Sequence, residues 1–182
     1  MENKNKFENK VIYPEIQEPS IIYKDSYLSA LEEFHKEGRN LDIDEKEIEN
    51  SFSEFVQKLK EQSLGLNLKP GYVPATTYWI TDKEDYIGKI QIRHSLTDTL
   101  LKIGGHIGYE IRPSKRKQGY GENALQLVLP QAKAMGLGKV LLTCDSTNIG
   151  SKKIIEANGG VLENEVETEE GHPSKLRYWI QL

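Results

Sequence analysis

The second half of the chain constrains the fold most, because strand patterns and helix patterns alternate along it in a fixed order. Residues 106–111 alternate as a strand does, and residues 122–135 have the pattern of a helix. Residues 139–145 have the pattern of a buried strand, and a further helix is predicted to end at the glycine pair 159–160. Strand, loop, helix, strand and helix in this order predict an α/β fold.

The loop between the first of these strands and its helix is predicted to bind a phosphate group. The chain has a formal net charge of −4, yet residues 112–118 carry four cations and no acid. Gly119 and Gly121 remove Cβ atoms where a phosphate would approach the backbone, and the following helix offers unpaired N–H groups. The candidate ligand residues are Arg116, Lys117, Gln118, Gly119, Tyr120, Gly121 and Glu122.

A dinucleotide-binding loop is the competing interpretation. Gly119, Gly121 and Ala124 fit G-x-G-x-x-A, and Asp145 ends the next strand as a ribose-binding acid would. In that fold the first glycine follows its strand almost directly, whereas seven residues, 112–118, intervene here. Too little chain follows to complete a doubly wound sheet. NAD binding therefore ranks below acyl-CoA binding.

Arg116, Gly119 and Gly121 match R/Q-x-x-G-x-G/A, the acyl-CoA signature of the GNAT N-acetyltransferase family. The segments GGHIGYEIRP, LLTCDSTN and IEANGG resemble a bacterial branch of that family known as predicted acetyltransferases. The resemblance implies a GNAT fold, with a central mixed, mostly antiparallel sheet of six to seven strands flanked by about four helices. It also implies acetyl-CoA as the cofactor and an acyl-CoA-binding core at residues 105–160.

The family resemblance also predicts how the rest of the cofactor is held. The pantetheine arm would lie beside the strand at residues 106–111, where backbone groups of Tyr109 and Ile111 would bind its amides and polarise the thioester carbonyl. Asn148 stands where the family usually has an Asn that bonds the backbone or the pantetheine arm; the alternative is a simple turn or cap residue. Ser151 is predicted to start the next helix beside the cofactor.

Acetyl transfer to an amine requires a base, because an ammonium with a pKa near 10.4 is neutral only about once in 10³ molecules at pH 7. His106 and Glu110 share one face of the strand and are the two catalytic candidates. Their alternative roles are a packed core imidazole and an ion-paired acid. His94, Cys144 and Asp145 are weaker candidates, and Cys144 is expected to be a small buried hydrophobe.

One position departs from the family pattern. Many relatives have a tyrosine that protonates the departing thiolate, and its best counterpart here is Ile155. Tyr109 or Tyr120 could replace it, or the thiol, with a pKa of about 8.5, could leave unaided. The remaining alternative is a non-catalytic acyl-CoA-binding or sensing module.

Outside this core, the pattern predicts two helices, a loop and two pairs of strands. The helices are expected at residues 27–37 and 44–59, the loop at 64–75, and the strands at 76–80, 86–93, 161–167 and 175–182. By the family resemblance, the loop at 64–75 would wall the acceptor pocket.

Length and composition predict one compact domain over residues 1–182, with a loose tail at residues 1–10. The polar start and the lack of a long apolar run predict a cytoplasmic protein without a membrane partner. Its basic residues cluster in one loop, which argues against a nucleic-acid partner; a homodimer is left open. The expected acceptor is an amine of a small molecule or peptide, and acidic clusters at residues 42–45 and 163–170 would favour a cationic one.

Overall fold

The computed structural model describes residues 14–182, so the tail predicted at residues 1–10 lies outside the described residues. The described chain contains seven strands: β1 Glu15–Gln17, β2 Ala75–Asp82, β3 Asp85–Arg93, β4 Ile107–Ile111, β5 Lys139–Asp145, β6 Val161–Val166 and β7 Lys175–Gln181. It contains five α-helices: α1 Lys24–Lys36, α2 Glu45–Asn50, α3 Phe52–Ser63, α4 Tyr120–Ala134 and α5 Ile149–Ala157. None of the helices between residues 14 and 182 has the length and apolar character of a membrane span.

The strands form two antiparallel sheets. The first has the order β1-β2-β3-β4 and the second the order β5-β7-β6. The predicted α/β class and the number of strands are confirmed, and so is the hairpin that joins β2 to β3. The predicted central sheet is divided, however, because β4 and β5 do not pair along their length. This division creates the cleft described below.

The helix predicted at residues 44–59 is two helices, which raises their number from four to five. Asp44 caps α2 as expected, accepting a hydrogen bond from the Glu47 N–H at 2.8 Å. The break falls at Ser51, whose backbone leaves the helical region (φ −122°, ψ 31°) and whose hydroxyl donates to the Glu47 carbonyl at 2.6 Å. A serine that bonds its own helix backbone competes with the helical ladder. The bend lets Phe52 pack on Tyr27 of α1.

Helices cover both faces of the first sheet. On one face α4 and α5 pack against a core that continues onto the second sheet and includes Leu125, Leu142 and Ile155. On the other face α1 and α3 enclose an aromatic cluster around Trp79 and Tyr86. Pro130 does not shorten α4, which runs through it to Ala134. The site residues of β4 therefore lie between two packed layers.

A buried ion pair fixes the end of β4 to α1. The Arg112 side chain is 8 % exposed and donates to Glu33 from Nε at 3.0 Å and from Nη2 at 2.5 Å. Glu33 also accepts from the N–H of Ser114 at 2.9 Å. Burial alone would raise the pKa of Glu33, but the hydrogen bonds from Arg112 and Ser114 outweigh it and hold that pKa below its usual value. The pair thereby anchors the start of the glycine loop.

Replacing Glu33 by Gln should lower the free energy of unfolding by about 3 kcal/mol near pH 7, because Arg112 loses its counter-charge in a buried setting. Since the pKa of Glu33 is lowered by folding, its contribution is present above the ordinary carboxyl pKa of about 4.3 and is lost as the pH falls below it. The difference between wild type and variant in urea unfolding should therefore shrink toward pH 4. The matched control is Glu32→Gln, because Glu32 forms an exposed ion pair with Lys36. This control is expected to change the free energy of unfolding by less than about 1 kcal/mol. Equal effects of the two substitutions would contradict the role of Glu33.

Candidate active site

The two sheets meet at His106 and separate beyond it. The His106 N–H donates to the Leu141 carbonyl at 2.7 Å, and the Leu141 N–H donates back to His106 Nδ1 at 2.9 Å. Within residues 14–182, no other backbone hydrogen bond joins β4 to β5. The strands are thus fastened at one end and open at the other.

The open edge of β4 carries backbone N–H groups without a strand partner. In an antiparallel pair, alternate residues bond the neighbouring strand and the residues between them point away. Backbone bonds at both ends of the β3–β4 ladder set this alternation. It directs Gly108 and Glu110 toward β3 and the N–H groups of Tyr109 and Ile111 toward β5. The structure therefore presents two strand amides to the cleft at the positions predicted for the pantetheine arm.

The facing edge of β5 is arranged in the same way. Its pairing with β7, continued by the bond from the Ser146 N–H to the Ser174 carbonyl, leaves the backbone of Thr143 and Asp145 pointing toward β4. Two diverging free edges can hold an extended ligand that carries amides, much as a sheet edge accepts an added strand. The cleft suits a chain such as pantetheine.

The glycine loop lies at the open end of β4 and has the backbone geometry of an anion site. Gly119 is the N-cap of α4 with φ +88°, and no side chain caps the helix. Lys117 also has a positive φ of 59°. A Cβ at Gly121 would lie 2.8 Å from Ile154 Cδ1, at the end of a side chain of α5. Gly121 allows α4 to approach α5, and the uncapped N–H groups remain for an anion.

The cations of this loop are largely neutralised, which corrects the charge argument made from the sequence. Three of the four lie within 3 Å of a carboxylate: Arg112 with Glu33, Lys115 with Asp85 and Arg116 with Glu37. Arg116 Nη2 is nevertheless buried without a partner, and no carboxylate among the described residues pairs with the exposed Lys117. An anion at this loop would meet backbone N–H groups first and two cationic groups second.

A pair of hydroxyl groups spans the cleft. The Tyr109 hydroxyl on β4 contacts Ser151 Oγ on α5 at 2.7 Å. Asn148 caps α5, accepting from the Ser151 N–H at 3.0 Å, so its cap role is confirmed and Ser151 is the third helical residue rather than the first. Burial is the main reason that the pKa of Tyr109 is raised to about 12. Its hydroxyl therefore stays protonated at neutral pH.

The other hydroxyl considered from the sequence does not reach the cleft. Tyr120 is 1 % exposed and donates to Asp82, and burial and Asp82 raise its pKa. Ile155, where the family resemblance leads one to expect a tyrosine, is fully buried in the core. Gln118 donates to the Ser114 carbonyl in the exposed loop, and Glu122 lies exposed in the first turn of α4. Tyr109 and Ser151 are thus the hydroxyls at the cleft.

Of the two candidate bases, His106 is the less suitable. Because Nδ1 accepts the Leu141 N–H, the neutral ring carries its proton on Nε2 and has no further lone pair for a substrate proton. Burial, and then the charge of Arg93, lower the pKa of His106. The structure gives His106 the role of fastening β4 to β5.

Glu110 is the remaining candidate base. Its side chain is 11 % exposed, with carboxylate oxygens 3.0 Å from Lys89 Nζ and 3.5 Å from an Arg39 nitrogen. It lies on the face of β4 turned toward α1, where the amide of Asn40 also approaches. A carboxylate keeps lone pairs for a proton while bonded to two cations.

Arg93 is a candidate site residue that the sequence does not reveal. The polar residues Lys89, Gln91 and Arg93 alternate along β3, as expected for the solvent-facing side of an ordinary strand. In the structure a Cβ added to Gly108 would lie 3.7 Å from both terminal nitrogens of Arg93, so the guanidinium covers the middle of β4. Only the pairing of β3 with β4 reveals this position.

A family model described as "Acetyltransferase (GNAT) domain" matches residues 32–161. The chain belongs to the GNAT acetyltransferase family. No curated protein sequence matches the chain. The acyl-CoA signature identified from Arg116, Gly119 and Gly121 therefore points to the correct family.

Solved structures of GNAT acetyltransferases share the fold. An acetyltransferase from Salmonella typhimurium that modifies the N-terminal serine of a 50S ribosomal subunit protein has 17 % identity and a TM-score of 0.64, covering 96 % of this chain and 97 % of that one. The microcin C7 self-immunity acetyltransferase MccE, in complex with acetyl-CoA and AMP, has 13 % identity and a TM-score of 0.67, with 93 % and 92 % covered. RimL, a ribosomal alpha-N-protein acetyltransferase in complex with CoA, has 17 % identity and a TM-score of 0.67, with 93 % and 94 % covered.

The residues present fit the acyl-CoA that GNAT enzymes use. The orphaned Arg116 Nη2 and the uncapped start of α4 suit a pyrophosphate. The free N–H groups of Tyr109 and Ile111 suit the amides and the thioester carbonyl of a pantetheine arm. The expected cofactor thus agrees with both the family and the geometry.

Replacing His106 by Ala should cost about 1–3 kcal/mol near pH 7.5, because the buried Leu141 N–H loses its acceptor. Since folding lowers the pKa of His106, its stabilising contribution is present above the ordinary value of about 6.5 and is lost as the pH falls below it. The gap in thermal unfolding between wild type and His106→Ala should therefore narrow at pH 5.5. His172→Ala, in an exposed turn, is the control. A gap that does not change with pH would mean that His106 does not titrate as this structure implies.

Proposed function

We propose that this protein is an acetyl-CoA-dependent N-acetyltransferase that acetylates a primary amine by direct attack in a ternary complex. The observation that carries the proposal is the cleft between β4 and β5, whose free strand edges lead to the uncapped, glycine-bounded start of α4. Acyl donor and acceptor would meet there from opposite faces of β4. The core at residues 105–160 would bind the donor.

The backbone would bind most of the donor. When bound, acetyl-CoA supplies an acetyl group activated as a thioester. The N–H groups of Tyr109 and Ile111 would hold the pantetheine arm and polarise the thioester carbonyl. The first turn of α4, with Arg116 Nη2 and Lys117, would bind the pyrophosphate.

Glu110 would act as the base, directly or through a water molecule. It lies on the α1-facing side of β4, opposite the side that carries Tyr109 and α5. Removing a proton from an ammonium at pH 7 costs about 4–5 kcal/mol, so a positioned carboxylate that shares this proton in the transition state would raise the rate. Asn40 and the two cations that bind Glu110 would fix its orientation.

Tyr109 and Ser151 would stabilise the departing thiolate by hydrogen bonding. Full proton transfer from a tyrosine with a pKa of about 12 to a thiolate of ordinary pKa near 8.5 would cost about 5 kcal/mol. A hydrogen bond requires no such transfer and still lowers the energy of the developing anion. The missing family tyrosine at Ile155 therefore does not by itself favour a non-catalytic protein.

The acceptor is proposed to be an amine of a small molecule or a peptide, because structural neighbours include enzymes that modify ribosomal-protein N-termini. The alternative is a non-catalytic acyl-CoA-binding module, which release of CoA thiol dependent on an added amine would exclude. Cytoplasmic location, a single-domain chain and a homodimer stay predictions.

Arg116→Gln should weaken CoA binding by about 10-fold or more, because the buried Nη2 would no longer meet the pyrophosphate and a charged hydrogen bond contributes about 1.5–3 kcal/mol. Titration calorimetry with CoA measures this directly. Lys133→Gln, at the far end of α4 and exposed, is the matched control and should bind CoA like wild type. Unchanged CoA affinity in Arg116→Gln would remove this arginine from the site.

Glu110→Gln should lower kcat by about 10²-fold to 10⁴-fold, the usual contribution of a general base, without changing the dissociation constant of CoA. The assay is CoA thiol release with N-terminal-serine peptides and a panel of small primary amines. Glu32→Gln serves as the control for loss of an acidic residue. Full activity of Glu110→Gln on an acceptor that the wild type uses would show that the base lies elsewhere.

A further inference from the structure

A cavity of about 450 Å³ lies on the α1-facing side of the first sheet. Its floor is formed by Ala75 of β2 and by Gln91 and Arg93 of β3. Its walls come from the loop before β2, which contributes Tyr72, and from the segment between β3 and β4, which contributes Thr97. The sequence prediction that the loop at 64–75 walls a pocket therefore has a concrete counterpart, here named the Arg93 cavity. Its volume suits a small organic ligand.

Arg93 is the arginine that lacks a carboxylate partner among the described residues. The four others each form an ion pair: Arg39 with Glu110, Arg112 with Glu33, Arg116 with Glu37 and Arg177 with Glu163. Arg93 uses Nη1 to bond the carbonyls of Gly104 and Gly105 at 3.2 and 3.1 Å. No described residue accepts a hydrogen bond from its Nε or Nη2. A half-buried guanidinium without a counter-charge is unusual, because partial desolvation disfavours its charge.

Arg93 is also the one charged residue among those that line the cavity. The larger cavity of about 580 Å³ at the end of β5 is different, because acids and bases line it together and Lys175 already pairs with Asp145 there. A cationic ligand would meet an unopposed guanidinium in the Arg93 cavity and be repelled. A ligand with a carboxylate would supply the missing partner and could bond in the two-pronged manner of arginine.

Arg93 links the cavity to the reacting strand. The Arg93 guanidinium lies over Gly108, and Glu110 follows two residues later on the same face of β4. Two residues of strand span about 7 Å. The backbone of Gly108, beneath the guanidinium, and the backbone of Glu110 are therefore separated by about the length of an amino acid. Both lie on the face from which the acceptor would approach the donor.

We propose that the acceptor carries a carboxylate within about 7 Å of its reacting amine, the reach of two strand residues, and that Arg93 binds this carboxylate while Glu110 receives the proton of the amine. The inference rests on the proposed acetyltransferase function and specifies its substrate class. It replaces the cationic acceptor favoured by the acidic clusters, whose carboxylates lie on exposed surface away from this cavity. The carboxylate would belong to a free amino-carboxylic acid or to an acidic side chain near a peptide N-terminus.

The test uses the full-length protein with acetyl-CoA and matched acceptors. Amino-carboxylic acids of increasing length are compared with their uncharged amides, and serine peptides with an acidic second residue are compared with their amide counterparts. For at least one pair, the carboxylate should give a kcat/KM about 10-fold or more above the amide, the ratio expected for one charge-assisted contact. A preference among the free amino acids would identify an amino-carboxylic acid as the acceptor. A preference among the peptides would identify an acidic side chain near the N-terminus.

Two variants connect the preference to Arg93. Arg93→Gln should remove the preference for the carboxylate acceptor over its amide. Gln91→Glu keeps Arg93 and its bonds to the loop but places a competing carboxylate in the same cavity, so it should abolish the preference as well. Gln126→Glu adds the same charge on the exposed face of α4 and should retain it. CoA affinity should match wild type in Gln91→Glu and Gln126→Glu, which keep the bonds from Arg93 to Gly104 and Gly105. A preference that survives both Arg93→Gln and Gln91→Glu would overturn the proposal.

Two further outcomes separate this inference from the proposed function. Normal CoA binding and turnover of amides and carboxylates alike would overturn the carboxylate site and leave the acetyltransferase intact, whereas absence of CoA binding would overturn the acetyltransferase itself. If no acceptor in the panel is acetylated, calorimetry with the N-acetylated amino acids decides. Binding to wild type but not to Gln91→Glu supports the site, and no binding to wild type overturns it.

Discussion

The paired hydrogen bonds between His106 and Leu141 are the constraint on which the rest of the site depends. They fasten the two sheets at a single residue pair, beyond which β4 and β5 separate. Gly105 makes this approach feasible, because it has a positive φ of 70° and a Cβ there would lie 2.5 Å from the Leu141 carbonyl oxygen. Beyond the His106–Leu141 pair, each free strand N–H group would lower the stability of the fold by about 1–3 kcal/mol if it were buried without a hydrogen-bond partner. The cleft must therefore hold water or a ligand rich in hydrogen-bonding groups.

The local electrostatic field in this protein depends on which charged side chains form ion pairs more than on the net charge of the chain. The loop that the sequence marks as basic is tied by three ion pairs to Glu33 of α1, to Glu37 just after α1 and to Asp85 of β3. These pairs position the loop but reduce its field. Near β4, the cationic groups without a carboxylate partner among the described residues include Arg116 Nη2, Lys117 and Arg93. The first two lie at the glycine loop and the third on the opposite side of β4. A bound pyrophosphate and a bound carboxylate would thus be held on different faces of the strand, which leaves the space between them for the reacting amine and thioester.

The elements with local signals were predictable from the sequence, and those that depend on distant contacts were not. The alternation in β4, the apolar run in β5 and the Asp44 cap are properties of adjacent residues, and each lies within a few residues of its predicted place. The break at Ser51 depends on Phe52 packing against another helix, and the direction of Arg112 depends on an acid 79 residues away. The role of Arg93 is hidden for the same reason, since strand periodicity gives the face of a side chain but not what covers that face.

Packing accounts for an apolar side chain at Ile155, the position where the family resemblance would lead one to expect a tyrosine. Ile155 is fully buried, and Gly160 has so little space that an added Cβ would lie 2.4 Å from Ile155 Cγ2. A larger polar side chain would have to displace the chain that follows α5 and would bury a hydroxyl in an apolar core. Two hydroxyls lie at the cleft instead, on Tyr109 of β4 and on Ser151 of α5. Because they bond each other at 2.7 Å, a thiol that entered between the two elements would exchange one hydroxyl contact for another.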